Sequence, residues 1–266
     1  MLETAEVAVI GAGVVGCSIA YYLARQGVDV VIFDKDGIGS GASAHATGSL
    51  SLLGAEFSPG PSFQLALSGY QEFLTLVPEL EEVTGVDLLY QRRPSLRLAL
   101  DWEEERFIKE LMVWQEQEVA VRWIDGDEVR RIEPRFTDRI RGAAYEDESA
   151  QLDSYRLNLA LAQAAEKKGA RLILQSVTGL ITDRDPSEPE PSSRVTGVRT
   201  MAGGISCGNV VVAAGIWSAA FGDWLGSPVP VRPLKGERLL LRYAAAPLPV
   251  LISSPKRGHM ISRLDG

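Results

Sequence analysis

The stretch that most constrains this chain is Gly11-Ala12-Gly13-Val14-Val15-Gly16, together with what surrounds it. An apolar, β-branched run, Val7-Ala8-Val9-Ile10, leads directly into it. A helical pattern follows to about Gln26, Gly27 ends it, and Val28 to Phe33 forms a second apolar strand closing on Asp34. This is the order of a βαβ dinucleotide-binding unit. Gly11 permits the tight strand-to-helix turn, Gly13 lets backbone approach a pyrophosphate, and Gly16 lets the helix lie close on the sheet. The first turn of the helix offers unpaired N–H groups and a positive dipole end to phosphates. Asp34, 23 positions beyond Gly11, stands where an acid accepts hydrogen bonds from a ribose diol. A glycine motif alone is weak; strand, helix, second strand and terminal acid together point to dinucleotide binding.

The bulk properties exclude several other classes. A chain of 266 residues can bury a large core and form two domains. The formal net charge is −8 and no long basic run occurs, which argues against nucleic acid as the main partner. Apolar stretches are strand-sized and interrupted, so no transmembrane span is expected. The acidic opening Met1 to Glu6 does not read as a signal peptide. Two cysteines, Cys17 and Cys207, and two histidines make a disulfide and a metal site poor expectations. A reducing, cytoplasmic location follows from that usage.

Along the chain, the loop Asp36 to Ser49 is small and polar for longer than a turn requires. It leaves the carboxyl end of the second strand, so a functional role is expected. Residues 62–83 read as a helix with Leu65, Leu67, Phe73, Leu74, Leu76 and Leu80 as core candidates, kinked or divided at Pro78. Two short strands flank Arg92-Arg93-Pro94. Asp101 caps a helix to about Glu118, and Asp125 opens a short helix ending before Pro134. Strands are expected at 119–124 and 139–145. Asp153 caps an amphipathic helix to Lys168, with Leu157, Leu159, Leu161, Ala164 and Ala165 as its buried face. Residues 171–183 are strand-like, and Asp183 to Arg194 is an acidic, Pro- and Ser-rich solvated turn or insertion. Further strands are expected at 195–200, at 210–214 and, as a long one, at 231–243. The front is α/β, and the middle and end are α+β with more antiparallel pairing.

A second small-residue turn follows a buried strand at Val211-Val212-Ala213-Ala214-Gly215-Ile216-Trp217-Ser218. With VAVIGAGVVG (Val7–Gly16), Asp34, GSGASAHATGSL (Gly39–Leu50) and VRPLKGERLLL (Val231–Leu241), it resembles the FAD-dependent amine and amino-acid oxidoreductases of the D-amino-acid oxidase type. Within them the similarity is greatest to glycine oxidase and its sarcosine oxidase and D-amino-acid dehydrogenase relatives, and it runs over essentially the whole chain. The resemblance implies a Rossmann-like FAD-binding domain plus a mostly antiparallel-sheet substrate domain, incomplete at the C-terminal end. The expected division is 1–85 and 146–225 for FAD, and 86–145 and 226–266 for substrate.

The same resemblance implies site residues. Gly11, Gly13, Val14, Val15, Gly16, Asp34 and Lys35 would hold the ADP half of FAD. Ala42, Ser43, Thr47, Gly48 and Ser49 match the loop that meets the pyrophosphate and the flavin. Val177 lies in the strand whose backbone meets the adenine, and Gly215 and Trp217 match the second glycine turn. Lys235 stands where the family often has arginine, and relatives continue beyond Gly266 with a substrate-carboxylate arginine and a final glycine-rich segment under the flavin. His259 falls where glycine oxidases carry a substrate-side tyrosine; an edge-strand histidine is the plainer reading. His45, in the flavin-side loop, is equally readable as a ligand or as a solvated histidine.

Other clusters read more simply. The Glu103 to Glu105 and Glu79-Glu81-Glu82 groups are exposed helix faces, and Arg92-Arg93 is a hairpin-edge pair. The tryptophans 102, 114, 123 and 224 are core or interface side chains. The implied activity is oxidation of a small amine or amino acid at its α-carbon, with oxygen or another electron acceptor reoxidising the flavin. A second reading is a non-catalytic or partner-dependent FAD-binding part of a divided oxidoreductase, with another chain supplying the rest. A third, an NAD(P)-dependent dehydrogenase, fits residues 11–34 equally well but leaves the 39–50 loop and the 211–218 turn unexplained; Asp34 disfavours NADP by repelling its 2′-phosphate.

Overall fold

The structure is a computed structural model describing residues 4–52, 59–183 and 194–263. Its strands are β1 (Thr4–Ile10), β2 (Val30–Asp34), β3 (Ser49–Leu50), β4 (Gln91–Arg92), β5 (Ser95–Ala99), β6 (Val121–Asp125), β7 (Gly142–Glu146), β8 (Ala150–Gln151), β9 (Arg171–Leu174), β10 (Val177–Thr182), β11 (Val195–Thr200), β12 (Gly203–Val212), β13 (Leu251–Ser254) and β14 (Gly258–Met260). The helices are α1 (Val14–Arg25), α2 (Ala42–His45), α3 (Pro61–Thr84), α4 (Trp102–Gln115), α5 (Gly126–Ile132), α6 (Ser154–Lys167) and α7 (Gly222–Leu225), with a 3-10 helix at Gly215–Phe221. Two compact units emerge. The first comprises residues 1–46, 80–86 and 154–238, and the second 47–79, 87–153 and 239–266. The cuts therefore fall elsewhere than the fourfold division expected from sequence, because β3 pairs with β8 and carries residues 47–79 into the second unit.

The first unit is built on a six-stranded sheet in the order β10-β11-β12-β1-β2-β9. β12, β1, β2 and β9 are parallel, while β10, β11 and β12 form an antiparallel meander. β1 and β2 are apolar on both faces, as a covered parallel strand requires; Ala8, Val9, Val30, Val31 and Ile32 are fully buried. One face carries a core of Ala8, Ile10, Val31, Phe33, Val198, Ile205, Cys207 and Phe221. Helix α1 buries its small face, Gly16, Cys17, Ala20 and Ala24, and packs with α6. It stops at Arg25, and Gly27 at φ 85° donates its N–H to Ala24, a left-handed stop that favours glycine. Cys17 and Cys207 are both buried free thiols.

The second unit holds a five-stranded sheet, β14-β13-β5-β7-β6, and a small antiparallel one, β3-β8-β4. In the larger sheet only the β13–β5 pair is parallel. One face carries Leu96, Leu98, Ile124, Val129, Ile140, Ala143 and Val250; the other packs Ala99 and Ala144 against Ile108 and Met112 of α4. The acid caps are formed as the sequence predicts: Asp101 accepts the Glu104 N–H and Asp125 the Glu128 N–H.

Several elements depart from expectation. Helix α3 runs unbroken through Pro78, and its buried residues are Phe63, Leu76, Val77 and Leu80, whereas Leu65 and Leu74 are exposed. Leu159 is half-buried, its place in the core of α6 taken by Asn158 and Ala160. The 171–183 stretch divides into β9 and β10, and β12 begins at Gly203, well before Val210. The 36–49 loop contains a helical turn, α2. No strand forms at 231–243: none of the described residues pairs with it, and Leu234, Leu239, Leu240, Leu241 and Tyr243 are exposed. An apolar stretch forms a strand only when a neighbour accepts its backbone groups. The acidic insertion expected at 183–194 lies almost wholly outside the described residues.

Candidate cofactor site

The register of the first unit brings three loops to one edge. Ile10 pairs with Phe33 and with Val212, and Asp34 pairs with Leu174, so β1, β2, β9 and β12 finish together. The segments beginning at Gly11, Lys35 and Ala213 all leave from the carboxyl ends of these parallel strands, where open α/β sheets bind ligands.

The turn at Gly11 is fixed by close backbone packing. Gly11 has φ 114° and donates its N–H to the Phe33 carbonyl at 2.7 Å. A Cβ there would lie 2.3 Å from the Ala213 carbonyl oxygen. A Cβ on Gly16 would lie 1.9 Å from the Gly11 carbonyl oxygen. These two glycines are required by the fold itself. Gly13 differs: its Cβ would meet only the Ser43 hydroxyl, at 3.1 Å. It is the N-cap of α1 and contributes no side-chain cap. Ser43 Oγ accepts the Val14 N–H at 2.9 Å, so the 39–50 loop is tied to the helix start. The N–H groups of Val15 and Gly16 belong to the first turn, which has no intrahelical acceptors for them. Val15 is exposed and Val14 half-buried.

Asp34 binds the turn as well as facing outward. Its Oδ2 accepts the Ala12 N–H at 2.8 Å, and its Oδ1 accepts those of Asp36 and Gly37 at 2.8 and 2.9 Å. A carboxylate has about four acceptor positions, so capacity remains for a ribose hydroxyl. Lys35 lies over the Trp217 ring, its Nζ 4.6 Å from the centroid. A Cβ on Gly41 would be 3.4 Å from that ring. The second glycine turn thus closes on the loop after β2. Gly215, at φ 55°, begins the 3-10 helix that carries Trp217. Val177 belongs to this neighbourhood despite the nominal strand order. Only Gln175 and Ser176 separate β9 from β10, which puts Val177 within about 11 Å of Leu174, the register partner of Asp34.

Residues that sequence reasoning missed support this frame. Asn158, fully buried on α6, donates from Nδ2 to the Ala12 carbonyl at 2.9 Å, and that carbonyl also accepts the Gly39 N–H at 2.9 Å. Ser154 and Arg238 both donate to the Ala46 carbonyl, at 2.9 and 2.8 Å. The available signal was an Asn set between Leu157 and Leu161 on the apolar face of a helix; its partner, 146 positions away, was not readable. Desolvation on burial pushes the Cys17 thiol up to about 12, so it is chemically quiet.

Thr47, Gly48, Ser49 and His259 lie in the second unit. Gly48 accepts the Leu152 N–H, and Ser49 pairs with Gln151. In the larger sheet His259, Ser253 and Arg97 form one cross-strand row. Desolvation by its surroundings, and then the Arg97 charge, lower the His259 imidazole, although much of the residue is exposed. Burial lowers Arg97 itself to about 10. His45 is exposed at the end of α2. Among the described residues no group of acids, cysteines and histidines has metal-holding geometry. None of the described helices is long and apolar enough to cross a membrane.

Comparison with known proteins agrees with the cradle. The glycine oxidase of Geobacillus kaustophilus is 32% identical over 253 residues, covering 94% of this chain and 64% of that protein. The mitochondrial dimethylglycine dehydrogenase of Rattus norvegicus is 30% identical, covering 88% of this chain and 26% of that protein. The crystal structure of glycine oxidase from Geobacillus kaustophilus superposes with a TM-score of 0.90 at 29% identity, covering 98% of this chain and 69% of that one. The chain spans 60–64% of the length of the curated glycine oxidases it matches. The family model described as FAD dependent oxidoreductase matches residues 6–266. The family match across nearly the whole chain, on a fold with a glycine turn after the first strand and an acid at the end of the second, leads to one assignment: this chain belongs to the FAD-dependent oxidoreductase family.

Proposed function

We propose that the first unit holds FAD and that the chain serves the oxidation of a small amine or amino acid of the glycine, sarcosine or D-amino-acid kind. The observation that carries this is the Gly11 turn, closed by Asp34 on one side and by Ala213 on the other. Gly11, Gly13, Val14, Val15 and Gly16 would face the pyrophosphate, with the Val15 and Gly16 N–H groups and the α1 dipole meeting its charge. Asp34 would accept a ribose hydroxyl. Lys35, Val177, Gly215 and Trp217 would line the adenosine side, and Ala42, Ser43, Thr47, Gly48 and Ser49 the flavin side. FAD, when bound, supplies the two-electron acceptor for a hydride leaving the substrate α-carbon. The protein then needs no side-chain acid–base pair; it orients, and it excludes water. His45 and His259 remain candidates for contact with flavin or substrate. Molecular oxygen or another electron acceptor completes the cycle. The buried free thiols suit a reducing cytoplasm.

Glycine, sarcosine or D-alanine added anaerobically to the flavin-loaded chain tests the activity. Bleaching of the flavin absorption by one of them supports it; unchanged spectra with all three count against catalysis by this chain.

A second reading has its own support. The 231–243 segment exposes Leu234, Leu239, Leu240 and Leu241. It fits a chain that binds FAD but completes the substrate site only with further polypeptide.

A further inference from the structure

The ring of Trp217 joins the two segments that flank the end of β1. The sheet order puts β12 on one side of β1 and β2 on the other. Where β1 ends, the Ala213 N–H donates to the Ile10 carbonyl at 2.8 Å and the Gly11 N–H to the Phe33 carbonyl at 2.7 Å, so the glycine turn leaves from between its two neighbours. Trp217 follows β12, whereas Lys35 and Gly41 follow β2. The Lys35 Nζ nevertheless stands 4.6 Å from the Trp217 ring centroid, and a Cβ on Gly41 would lie 3.4 Å from that ring. The indole and its contacts therefore bridge two inter-strand spacings, about 10 Å, across the edge from which the Gly11 turn departs. All of these residues belong to the first unit.

The bridge is made of contacts that break readily. Trp217 is 48% exposed, and Gly41 presents only backbone to its ring. Lys35 Nζ divides its charge between the indole and Asp36 Oδ2, 3.4 Å away in an exposed pair. A cation over an indole at an exposed site is a weak contact, remade many times for each long-lived binding event. A dinucleotide laid along the Gly11 to Gly16 turn has to pass this edge.

We propose that Trp217, latched by Lys35, is a strap across the nucleotide cleft of the first unit, opening to admit the cofactor and closing over it. The inference rests on the FAD reading above. Entry and exit both wait on opening, so both observed rates scale with the open fraction. Weakening the latch raises both and leaves their ratio, the Kd, nearly unchanged. A side chain that only lines the site alters exit alone, and a lysine that only draws in the diphosphate slows entry when removed.

Entry of FAD into the full chain, freed of flavin, is followed by stopped-flow flavin fluorescence. Exit is read by chasing radiolabelled FAD with excess unlabelled FAD. Lys35→Met should raise both rates about two- to fivefold, the size of an exposed cation–π contact, with Kd shifted by less than about twofold. Lys35→Arg, which keeps the contact, should match wild type. Trp217→Leu removes the strap and should also raise both rates, which covers the case that Lys35→Met does not fold. Entry that is unchanged or slower in Lys35→Met and Trp217→Leu, with wild type binding FAD, overturns this inference alone. Failure of wild type to bind FAD overturns the cofactor reading, and this inference with it.

Discussion

At the residue scale the glycines of the first turn divide by what they touch. Gly11 and Gly16 approach backbone carbonyls so closely that any Cβ collides, whereas Gly13 faces one movable hydroxyl. Gly11→Ala should therefore destabilise the first unit by at least about 2 kcal/mol, because it adds a steric clash to a left-handed backbone. Gly13→Val should leave the thermal transition nearly unchanged and abolish FAD uptake, because on the proposed cofactor reading its side chain would occupy the space of the pyrophosphate. Calorimetry beside FAD titration of both variants checks the contrast; full FAD occupancy in Gly13→Val would sink the assignment. Asn158 gives a second contrast. Leucine there removes the donor to Ala12 but also the orphaned Oδ1, so the net stability change should stay within about 1 kcal/mol. FAD affinity should fall all the same, since the Ala12–Gly39 anchor loosens. The glycines and Asp34 were legible because their spacing is local. Asn158 was not, since its meaning depends on a partner 146 positions away.

At the element scale, local chemistry was legible wherever a cap or a stop is local. Asp101, Asp125 and Gly27 mark helix ends in the sequence and in the structure. The 231–243 stretch was misread because its apolar residues resemble a strand, but pairing is not a local property. Helix α5 provides a pH prediction. The Arg135 guanidinium, hydrogen-bonded to Glu133 at 2.6 and 2.7 Å, holds that carboxyl down at about 2 from its ordinary 4.5. A carboxyl depressed in the folded state adds stability above its ordinary value and loses it as pH falls. The contribution should be complete above about pH 4.5 and disappear toward pH 2. Glu133→Gln should flatten the decline of the thermal midpoint across that window; an identical decline in both proteins would show that the pair does not contribute.

At the scale of the whole molecule, the α/β front and the antiparallel second unit were legible from hydrophobic period. The interleaving of residues 47–79 was not, because it depends on two residues of β3 finding β8. The exposed leucines at 239–241 and Tyr243 form a stretch larger than scattered surface hydrophobics. The folded chain should accordingly bind an apolar dye, and Leu239→Ser with Leu241→Ser should reduce that binding without shifting the thermal midpoint. Unchanged dye binding would mean another surface is responsible.

The most direct test of the central claim is the visible absorption spectrum of the purified chain after gel filtration, with and without added FAD. Flavin bands travelling with the folded protein, and absent from Gly13→Val, are the predicted result. A folded wild-type chain that stays colourless and takes up no FAD would contradict the account.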